Sequence, residues 1–457
     1  MSRQRLITIA IGAGAALGVA YSISPATVIC VPIVIAISVW AGKDLTSGER
    51  QVFVSMIAVA IVARLLMIAA LFLSSDGRMP FETFFGDELF FKNRSLWTRN
   101  IGLGLPVSPA DVIYAYDDVG ITSYLYGLAL VQALIGKVPY GIHVINSACY
   151  LTGALVLFRF VRPVFGGVAA LAGLAVMLFT PSLFMWSISA LKEPSYTLTA
   201  AIELVCAVQM ARSPSLRGRV FWLLGVIAAA VALESLRRGG SMVALAGVAG
   251  GLFFGYVVPR PKALLAAVVL LPVIAIGLLR VPPIQERALN AVRSWAIYHA
   301  GHVGSAGYSY QILDPRYYFI GQRLHDMPGD EAVEYVLRSY VSYVTEPVPW
   351  RIESRATLAY LPEQMFWYLL LALAPIGIAA GLRRDAMFTM LLVAHAFGAA
   401  TVVAMTSGNI GTLIRHRGLV MPYLVWLAGL GLYELVRIAV KTPTVSVTGD
   451  LHAHGHS

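Results

Sequence analysis

Charged side chains are scarce in this chain of 457 residues, and their scarcity excludes most soluble folds. Only 13% of the residues are charged, whereas 58% are hydrophobic and the mean hydropathy is +0.74. Soluble domains usually carry about 25% charged residues, because their surfaces face water. So little charge, combined with long apolar runs, is typical of an all-α polytopic membrane protein.

Cysteine and metal-binding patterns are scarce as well. No closely spaced cysteine pair and no His-Glu-x-x-His motif occurs. The three cysteines lie inside apolar runs, which favours small core side chains over a disulfide framework. They are Cys30, Cys149 and Cys206. Three histidines alternate in the polar tail after residue 441, but we expect that tail to be disordered rather than to bind a metal.

The excess of positive charge, a formal net charge of +10, points to a membrane protein rather than to a nucleic-acid binder. Lys and Arg collect in the cytoplasmic turns of membrane proteins. Apolar runs of about twenty residues, the length that crosses a bilayer, predict about twelve spans. These runs lie near residues 6–22, 24–41, 52–74, 143–160, 166–186, 195–211, 220–236, 241–258, 262–280, 364–382, 386–405 and 418–438.

The basic turns decide the predicted topology. With the N-terminus inside, every short inside turn carries Lys or Arg, provided that the apolar stretch 121–136 does not cross the membrane. We therefore expect 121–136 to be a re-entrant or interfacial helix, and both termini to be cytoplasmic. The polar segments predicted to lie outside are 75–142, 187–194, 237–240, 281–362 and 406–417.

The outside segments contain three acidic candidates. Asp87 and Glu88 stand in the first long polar break, after the third apolar run, and Glu193 stands in the short turn 191–194. Carboxylates beside a membrane span are costly to bury and are often functional. We take Asp87, Glu88 and Glu193 as candidate catalytic residues, with a solvated loop acid as the structural alternative.

Several cations lie on the side of the membrane where arginine is disfavoured. A lipid-linked phosphate is a natural partner, because guanidinium forks bind phosphate bidentately. Snorkelling to headgroups, or pairing with nearby acids, is the structural alternative. Arg64 lies within the third span and either helps to bind the same phosphate or pairs with Asp87. The candidate binding residues are Arg64, Lys192, Arg237, Arg238, Arg415, His416 and Arg417.

The order of these features resembles the GT-C glycosyltransferases, especially the protein-mannosyltransferase-like and aminoarabinose-transferase-like bacterial members. An apolar span leads to the acidic pair at 87–88, and an amphipathic segment follows at 124–136. Paired spans are then joined by a basic turn at 159–166. The run 179–187 leads to the second acidic turn at 191–194.

This resemblance, which covers about residues 52–215, implies an inverting transfer of a sugar from a polyprenyl-phosphate-linked donor to a lipid, glycan or protein acceptor. Such a transfer needs a base for the acceptor hydroxyl and cations for the departing phosphate. Asp87 would be the base, Glu193 would orient the acceptor or Asp87, and the outside arginines would hold the phosphate. The three acids are also candidate ligands for Mg²⁺ or Mn²⁺, although we favour a reaction without a metal.

Two other functions stay open. A polysaccharide polymerase or ligase, acting on polyprenyl-pyrophosphate-linked oligosaccharides for O-antigen or exopolysaccharide, would have similar arginine-rich outside sites and a large outside loop. A lipid transporter or flippase would place charges along a path through the bilayer and often has internal repeats, neither of which the sequence shows.

The predicted organisation has five parts, in a bacterial inner membrane with the active site facing the periplasm. They are an N-terminal transmembrane hairpin (1–50), a GT-C-like transmembrane catalytic module (51–280), a periplasmic loop region (281–362), C-terminal transmembrane helices (363–441) and a disordered cytoplasmic tail (442–457).

The topology predicts which positions an impermeant reagent reaches. In intact cells, and in a chain whose three native cysteines are replaced by alanine, Phe90→Cys should react with a membrane-impermeant maleimide. Ser215→Cys should react only after the cells are permeabilised. Labelling of both positions from the same side would mean that 121–136 crosses the membrane, and the outside turns would have to be reassigned.

Overall fold

The computed structural model describes residues 3–74, 87–117, 122–136, 141–301, 311–319, 322–350 and 355–441. Within these residues the fold is helical, and the only β pairing is an isolated bridge between Gln311 and Asn409. The helices are α1 (Arg3–Ile23), α2 (Pro25–Ala41), α3 (Ser47–Leu73), α4 (Glu88–Gly102), α5 (Pro109–Ala115), α6 (Ser123–Ile135), α7 (Gly141–Phe165), α8 (Gly167–Phe179), α9 (Pro181–Ser187), α10 (Glu193–Arg212), α11 (Leu216–Leu236), α12 (Gly240–Val257), α13 (Pro261–Leu279), α14 (Pro282–Gly301), α15 (Gln322–His325), α16 (Gly329–Thr345), α17 (Arg355–Arg384), α18 (Ala386–Thr406), α19 (Ile410–Arg417) and α20 (Met421–Lys441).

Eight of the described helices are long and apolar enough to cross a membrane, namely α3, α7, α11, α12, α13, α17, α18 and α20. The number rises to nine if α8 and α9, which meet at a bend of 62°, form one broken span. The chain is therefore an all-α polytopic membrane protein, as predicted. The other predicted runs also form helices, as α1, α2 and α10, but a total of about twelve spans stays a prediction.

The apolar stretch 121–136 forms the short helix α6. Its 13 residues extend only about 20 Å, less than the hydrocarbon thickness of a bilayer. The helix packs on α4, and Ser235 at the end of α11 donates a hydrogen bond to its Ser123 at 2.7 Å. A helix of this length is shorter than a membrane span, and an interfacial or re-entrant position for it stays a prediction.

Small residues let the core helices approach closely. A Cβ on Gly377 of α17 would lie 1.8 Å from the carbonyl oxygen of Leu427 in α20. A Cβ on Gly431 of α20 would lie 2.1 Å from the carbonyl oxygen of Leu373. Glycine is thus required where these two backbones touch, which is how membrane helices gain packing without a hydrophobic driving force.

The bundle has two chemically different ends. One, the basic end, holds ion pairs between Arg159 and Asp44 (3.1 Å) and between Arg212 and Asp385 (2.6 Å). Helix α10 runs from Glu193 at the opposite end to Arg212 at the basic end. The turns that hold these two ion pairs are ones that the sequence predicted to lie inside, and their orientation in the membrane stays a prediction.

The break between α8 and α9 is held by two ionisable side chains. Arg64 donates to the carbonyl oxygen of Leu178, near the end of α8, at 3.1 Å and to Ser187 Oγ at 2.9 Å. Glu363 accepts the backbone N–H of Ser182, at the start of α9, at 3.0 Å. A cation at a helix C-terminus and an anion at a helix N-terminus both complement the helix dipole, so the break is stabilised on both sides.

Candidate functional site

A single arginine joins three distant parts of the chain at the end opposite the basic end. Arg415 donates its Nη1–H to Asp87 Oδ2 at 2.6 Å, and its Nε–H to Glu193 Oε1 at 2.9 Å. Its guanidinium carbon also lies 5.2 Å from the ring centre of Trp186. The short helix α19 presents Arg415 because the Asn409 side chain caps its first turn through the N–H of Thr412, at 2.7 Å.

The two carboxylates bound by Arg415 differ in exposure. The Asp87 side chain is 64% exposed, whereas that of Glu193 is only 10% exposed. Glu193 begins α10, ahead of the apolar run 195–211. Burial alone would raise the pKa of Glu193, but the guanidinium groups of Arg415 and Arg237 outweigh it and leave that pKa below its ordinary value. Glu193 is therefore a fixed anion, and Asp87 is the carboxylate that an incoming molecule can reach.

A second arginine extends the cluster. Arg237 follows the last residue of α11, with Nη2 2.9 Å from His416 Nε2 and Nη1 4.0 Å from Glu193 Oε1. His416 is held in turn by Ser407 Oγ, at 3.1 Å from its Nδ1. The chain can turn sharply after Arg237 because Gly239 adopts a positive φ of 85°, which glycine tolerates.

Two further cations, Lys192 and the exposed Arg238, complete the cluster. Their side chains make no hydrogen bond or close ion pair within the described part of the chain, although Lys192 interacts electrostatically with Glu193 and Asp87, and Arg238 with Glu234. Burial, and next the neighbouring Arg237 guanidinium, lower the pKa of Lys192 to about 8. A lysine without a close ion pair in such a position is a candidate for binding an anion from outside the protein.

The cluster carries more positive than negative charge. Its cations are Lys192, Arg237, Arg238 and Arg415, and Asp87 and Glu193 oppose them. A third carboxylate, Glu234, is occupied by the backbone N–H groups of Gly239 and Ser241, at 3.0 and 3.1 Å. We refer to these four cations and the carboxylates Asp87 and Glu193, together with His416, as the site cluster. Its uncompensated charge favours an anionic ligand.

Two cavities with apolar walls open beside the site cluster. One, of about 20 Å³, has Glu193 and Arg415 on one side and is otherwise lined mainly by Tyr150, Leu183, Trp186, Thr197 and Leu419. The other, of about 10 Å³, lies behind Arg237 and Arg238 and is lined mainly by Tyr196, Val243, Ala399, Val402 and Leu419. Cavities of this size hold about one water molecule, so the charged rims suit an anionic headgroup, and a hydrocarbon chain would lie outside the cavities.

Glu88 points away from the site cluster, although it follows Asp87 in sequence. Its carboxylate is 1% exposed and lies 2.5 Å from His143 Nε2. It also accepts the backbone N–H of Ala190 at 3.1 Å. Glu88 therefore fastens the start of α4 to α7 and to the turn before Glu193, and the structure gives it no contact with the site cluster.

Arg64 and Arg417 are also placed away from the cluster. Arg64 does not pair with Asp87, one of the two roles expected for it; its partners at the α8–α9 break are an oxygen of Ser187 and backbone carbonyls. Arg417 is 4% exposed and donates to Gln364 and to the carbonyl oxygens of Tyr343 and Glu346, each at 2.6 Å. All three guanidinium nitrogens of Arg64 are bonded within the protein, whereas Arg417 bonds through Nη1 and Nη2 and its buried Nε has no hydrogen-bond partner among the described residues.

Three residues outside the predicted catalytic and binding sets support the cluster. Trp186 lies against Arg415, and Ser407 holds His416. Tyr318 donates its hydroxyl to the carbonyl oxygen of Gly408 at 2.7 Å, which fixes the turn before α19. The position of Trp186 just before the acidic turn was a usable signal, whereas nothing in the sequence links Tyr318 to residue 408.

The structure does not assemble the three acids offered as ligands for Mg²⁺ or Mn²⁺. Within the described residues, no group of three or more His, Cys, Asp or Glu side chains is placed to hold a metal ion. Asp87 and Glu193 share Arg415, and Glu88 is bound to His143.

The chain matches no protein-family model, no curated protein and no solved structure.

Arg417 should be needed for folding rather than for anion binding. Arg417→Ala leaves three buried acceptors unpaired, and each bond from a charged donor contributes about 1.5–3 kcal/mol, so the protein should unfold at a clearly lower temperature in detergent. Arg238→Ala, which removes an exposed arginine, is the matched control and should unfold like the parent. An unchanged unfolding temperature for Arg417→Ala would contradict the structural role.

Lys192 should make anion binding depend on pH. A lysine is charged below its pKa, so binding of a phosphodiester lipid should weaken as the pH rises through about 8. Loss of one charged contact corresponds to roughly one to two decades in affinity. The measurement is calorimetric titration in detergent between pH 7 and 10, where the arginines and the phosphodiester keep their charge. Lys192→Arg should flatten the profile; an unchanged decline in that variant would assign the titration to another group.

Proposed function

We propose that this protein is a membrane glycosyltransferase that moves a sugar from a polyprenyl-phosphate-linked donor to a lipid, glycan or protein acceptor. The observation that carries the proposal is the site cluster itself. An exposed carboxylate, Asp87, is fixed by Arg415 next to an excess of cations and above a cavity with apolar walls. A base and an anion site are two elements that such a transfer requires.

The cations support binding of the donor phosphate. The side chains of Lys192 and Arg238 make no hydrogen bond or close ion pair with the described residues, so a ligand can reach them without breaking such a bond. Arg237 lies 4.0 Å from the carboxylate of Glu193. As the sugar leaves, negative charge develops on the phosphate oxygen that held it. Fixed cations at the rim stabilise that charge without having to reorganise.

Asp87 serves as the base in the proposed step. Its carboxylate takes the proton of the acceptor hydroxyl while the acceptor oxygen forms a bond to the anomeric carbon. The bond from that carbon to the phosphate oxygen breaks on the opposite face, its electron pair leaves with the lipid phosphate, and the sugar is inverted. Glu193 holds Arg415 at 2.7 Å and thereby positions Asp87.

The proposal also includes the finer topology. About twelve spans would place the site cluster at the outer face of the bacterial cytoplasmic membrane, with the basic end in the cytoplasm. Asp44, Arg159, Arg212 and Asp385 form two ion pairs at one end of the bundle. They lie in or beside basic turns, and basic turns are retained in the cytoplasm, so the pairs support this orientation.

A polymerase or ligase that joins lipid-linked oligosaccharides is the second candidate. The observation that favours it is the second cavity, which has its own arginine rim of Arg237 and Arg238. Two charged rims beside Leu419, which lines both cavities, would suit the phosphates of two lipid-linked substrates.

The decisive experiment measures sugar transfer from a polyprenyl-phosphate-sugar donor by purified variants in detergent. Asp87→Asn keeps the size of the side chain but removes the base, so transfer should fall by about two to four decades. Asp326→Asn is the matched control, because Asp326 is an exposed carboxylate outside the site cluster, and its transfer rate should equal that of the parent. Near-normal transfer by Asp87→Asn would refute the assignment of the base.

Donor binding separates the base from the anion site in the same preparations. Asp87→Asn should still bind the donor lipid, whereas Arg238→Gln should bind it more weakly by roughly a decade, with unchanged thermal unfolding. The exposed Arg287→Gln serves as the control for loss of a positive charge at the surface. If the parent protein binds no polyprenyl-phosphate lipid at all, the transferase proposal fails together with its alternative.

A further inference from the structure

Helix α16 carries an apolar face that no described residue covers. Its inner face, with Ala332, Tyr335 and Ser339, is buried against the bundle. On the outward side, residues spaced three and four apart form a second apolar stripe, which we call the outer stripe. It consists of Val333 (60% exposed), Leu337 (62%), Val341 (62%) and Val344 (39%). Residues with this spacing share one face of a helix.

The charges of α16 are confined to its first half. Asp330, Glu331, Glu334 and Arg338 all precede residue 339, and no charged residue follows before Glu346. Glu334 and Arg338 form an ion pair at 2.7 Å, and Glu334 also binds Arg316. The first part of the helix is therefore charged and compatible with contact with water, whereas its last seven residues carry no charge and can lie in hydrocarbon.

The uncharged half of α16 lies alongside a membrane-spanning helix. The Tyr340 hydroxyl bonds to Thr401 Oγ1 at 2.6 Å, and its ring stacks on Phe397 with the centres 6.2 Å apart. Thr401 and Phe397 lie five and nine residues before the end of α18, which is about 7.5 to 14 Å along its axis. Phe397 is itself 65% exposed on a helix of membrane-spanning length and hydropathy.

A contact with α17 places the end of α16 at a similar depth. The Tyr368 hydroxyl donates to the carbonyl oxygen of Thr345, the last residue of α16, at 2.6 Å. Tyr368 stands ten residues into the apolar part of α17, which begins at Leu358. Two membrane-spanning helices thus hold the second half of α16 below their own ends.

We propose that the second half of α16 lies within the membrane and that the outer stripe contacts lipid chains. The stripe continues the exposed apolar surface of α18 at Phe397, which already faces the bilayer, so the same lipids that cover Phe397 cover Val341 and Val344. The charged first half stays at the headgroup boundary, where amphipathic helices anchor proteins. This differs from the sequence-based expectation that 281–362 is a loop outside the membrane.

The lipid contact has a consequence for the neighbouring helix α19. The inner face of α16 ends at Tyr343 and Glu346, whose carbonyl oxygens accept Arg417. Because Arg417 is two residues after Arg415, a lipid-held α16 fixes the helix that carries the centre of the site cluster. The inference does not depend on which reaction the site cluster performs.

The test is nitroxide scanning of the full-length protein in phospholipid vesicles, with the native cysteines replaced by alanine. Labels at 337, 341 and 344 should collide readily with oxygen and poorly with a charged nickel chelate, since a charged complex is excluded from hydrocarbon. The oxygen-to-nickel ratio at 341 should exceed that at 338 by roughly tenfold. Phe397→Cys supplies the reference value for a position that faces lipid, and Arg338→Cys supplies the reference for water.

Either of two results would overturn the proposal. High nickel accessibility at 341 would place the stripe in water, and exclusion of both reagents would mean that a second copy or another protein covers it.

A second measurement guards against variants that fold poorly. Val341→Cys should react with a membrane-impermeant maleimide at least roughly tenfold more slowly than Arg338→Cys in intact vesicles, and the difference should vanish in denaturant. Equal rates in intact vesicles would also refute the lipid contact.

Discussion

The arrangement of the site cluster depends on the bridge that Arg415 makes between Asp87 and Glu193. These residues come from three segments that are far apart in sequence, and the contacts that join them are between side chains. A buried carboxylate such as Glu193 is tolerated at the edge of a membrane only with a cation beside it, and the guanidinium fork supplies two donors in fixed geometry. The bridge therefore joins the ends of α4, α10 and α19, and Glu88 fastens the start of α4 independently through His143 and Ala190.

The same requirement explains the ionisable residues that do not belong to the cluster. Arg64 and Glu363 satisfy the backbone groups freed where α8 and α9 break, and Arg417 satisfies carbonyl oxygens at the end of α16. In water these groups would be hydrated at little cost, but in hydrocarbon each unpaired group costs several kcal/mol. Charged side chains within this bundle are thus of two kinds. Some complete the protein's own hydrogen bonds, whereas the side chains of Lys192 and Arg238 make none with the described residues.

An anionic amphipathic ligand is consistent with each feature of the cluster. The rim has more cations than free carboxylates, the cavities behind it are apolar, and Asp87 is the acid exposed at the junction. Electrostatic attraction would bring the headgroup of such a ligand to the rim, and its hydrocarbon chain would contact the surrounding lipid. A lipid phosphate that carries a sugar has both parts, which is why the glycosyltransferase proposal accounts for the cluster with few further assumptions.

The amino-acid sequence by itself determined the helical membrane fold, the apolar runs and the residues from which the cluster is drawn, because composition and hydropathy alone decide which segments prefer lipid. Only the tertiary structure decided which residue of each neighbouring pair belongs to the site cluster. Asp87 and Glu88 are adjacent, and Arg415 and Arg417 are two residues apart, yet one of each pair faces the cluster while the other is buried elsewhere. A helix turns about 100° per residue, so adjacent side chains point in different directions, and only the packing of the other helices determines which direction meets the site.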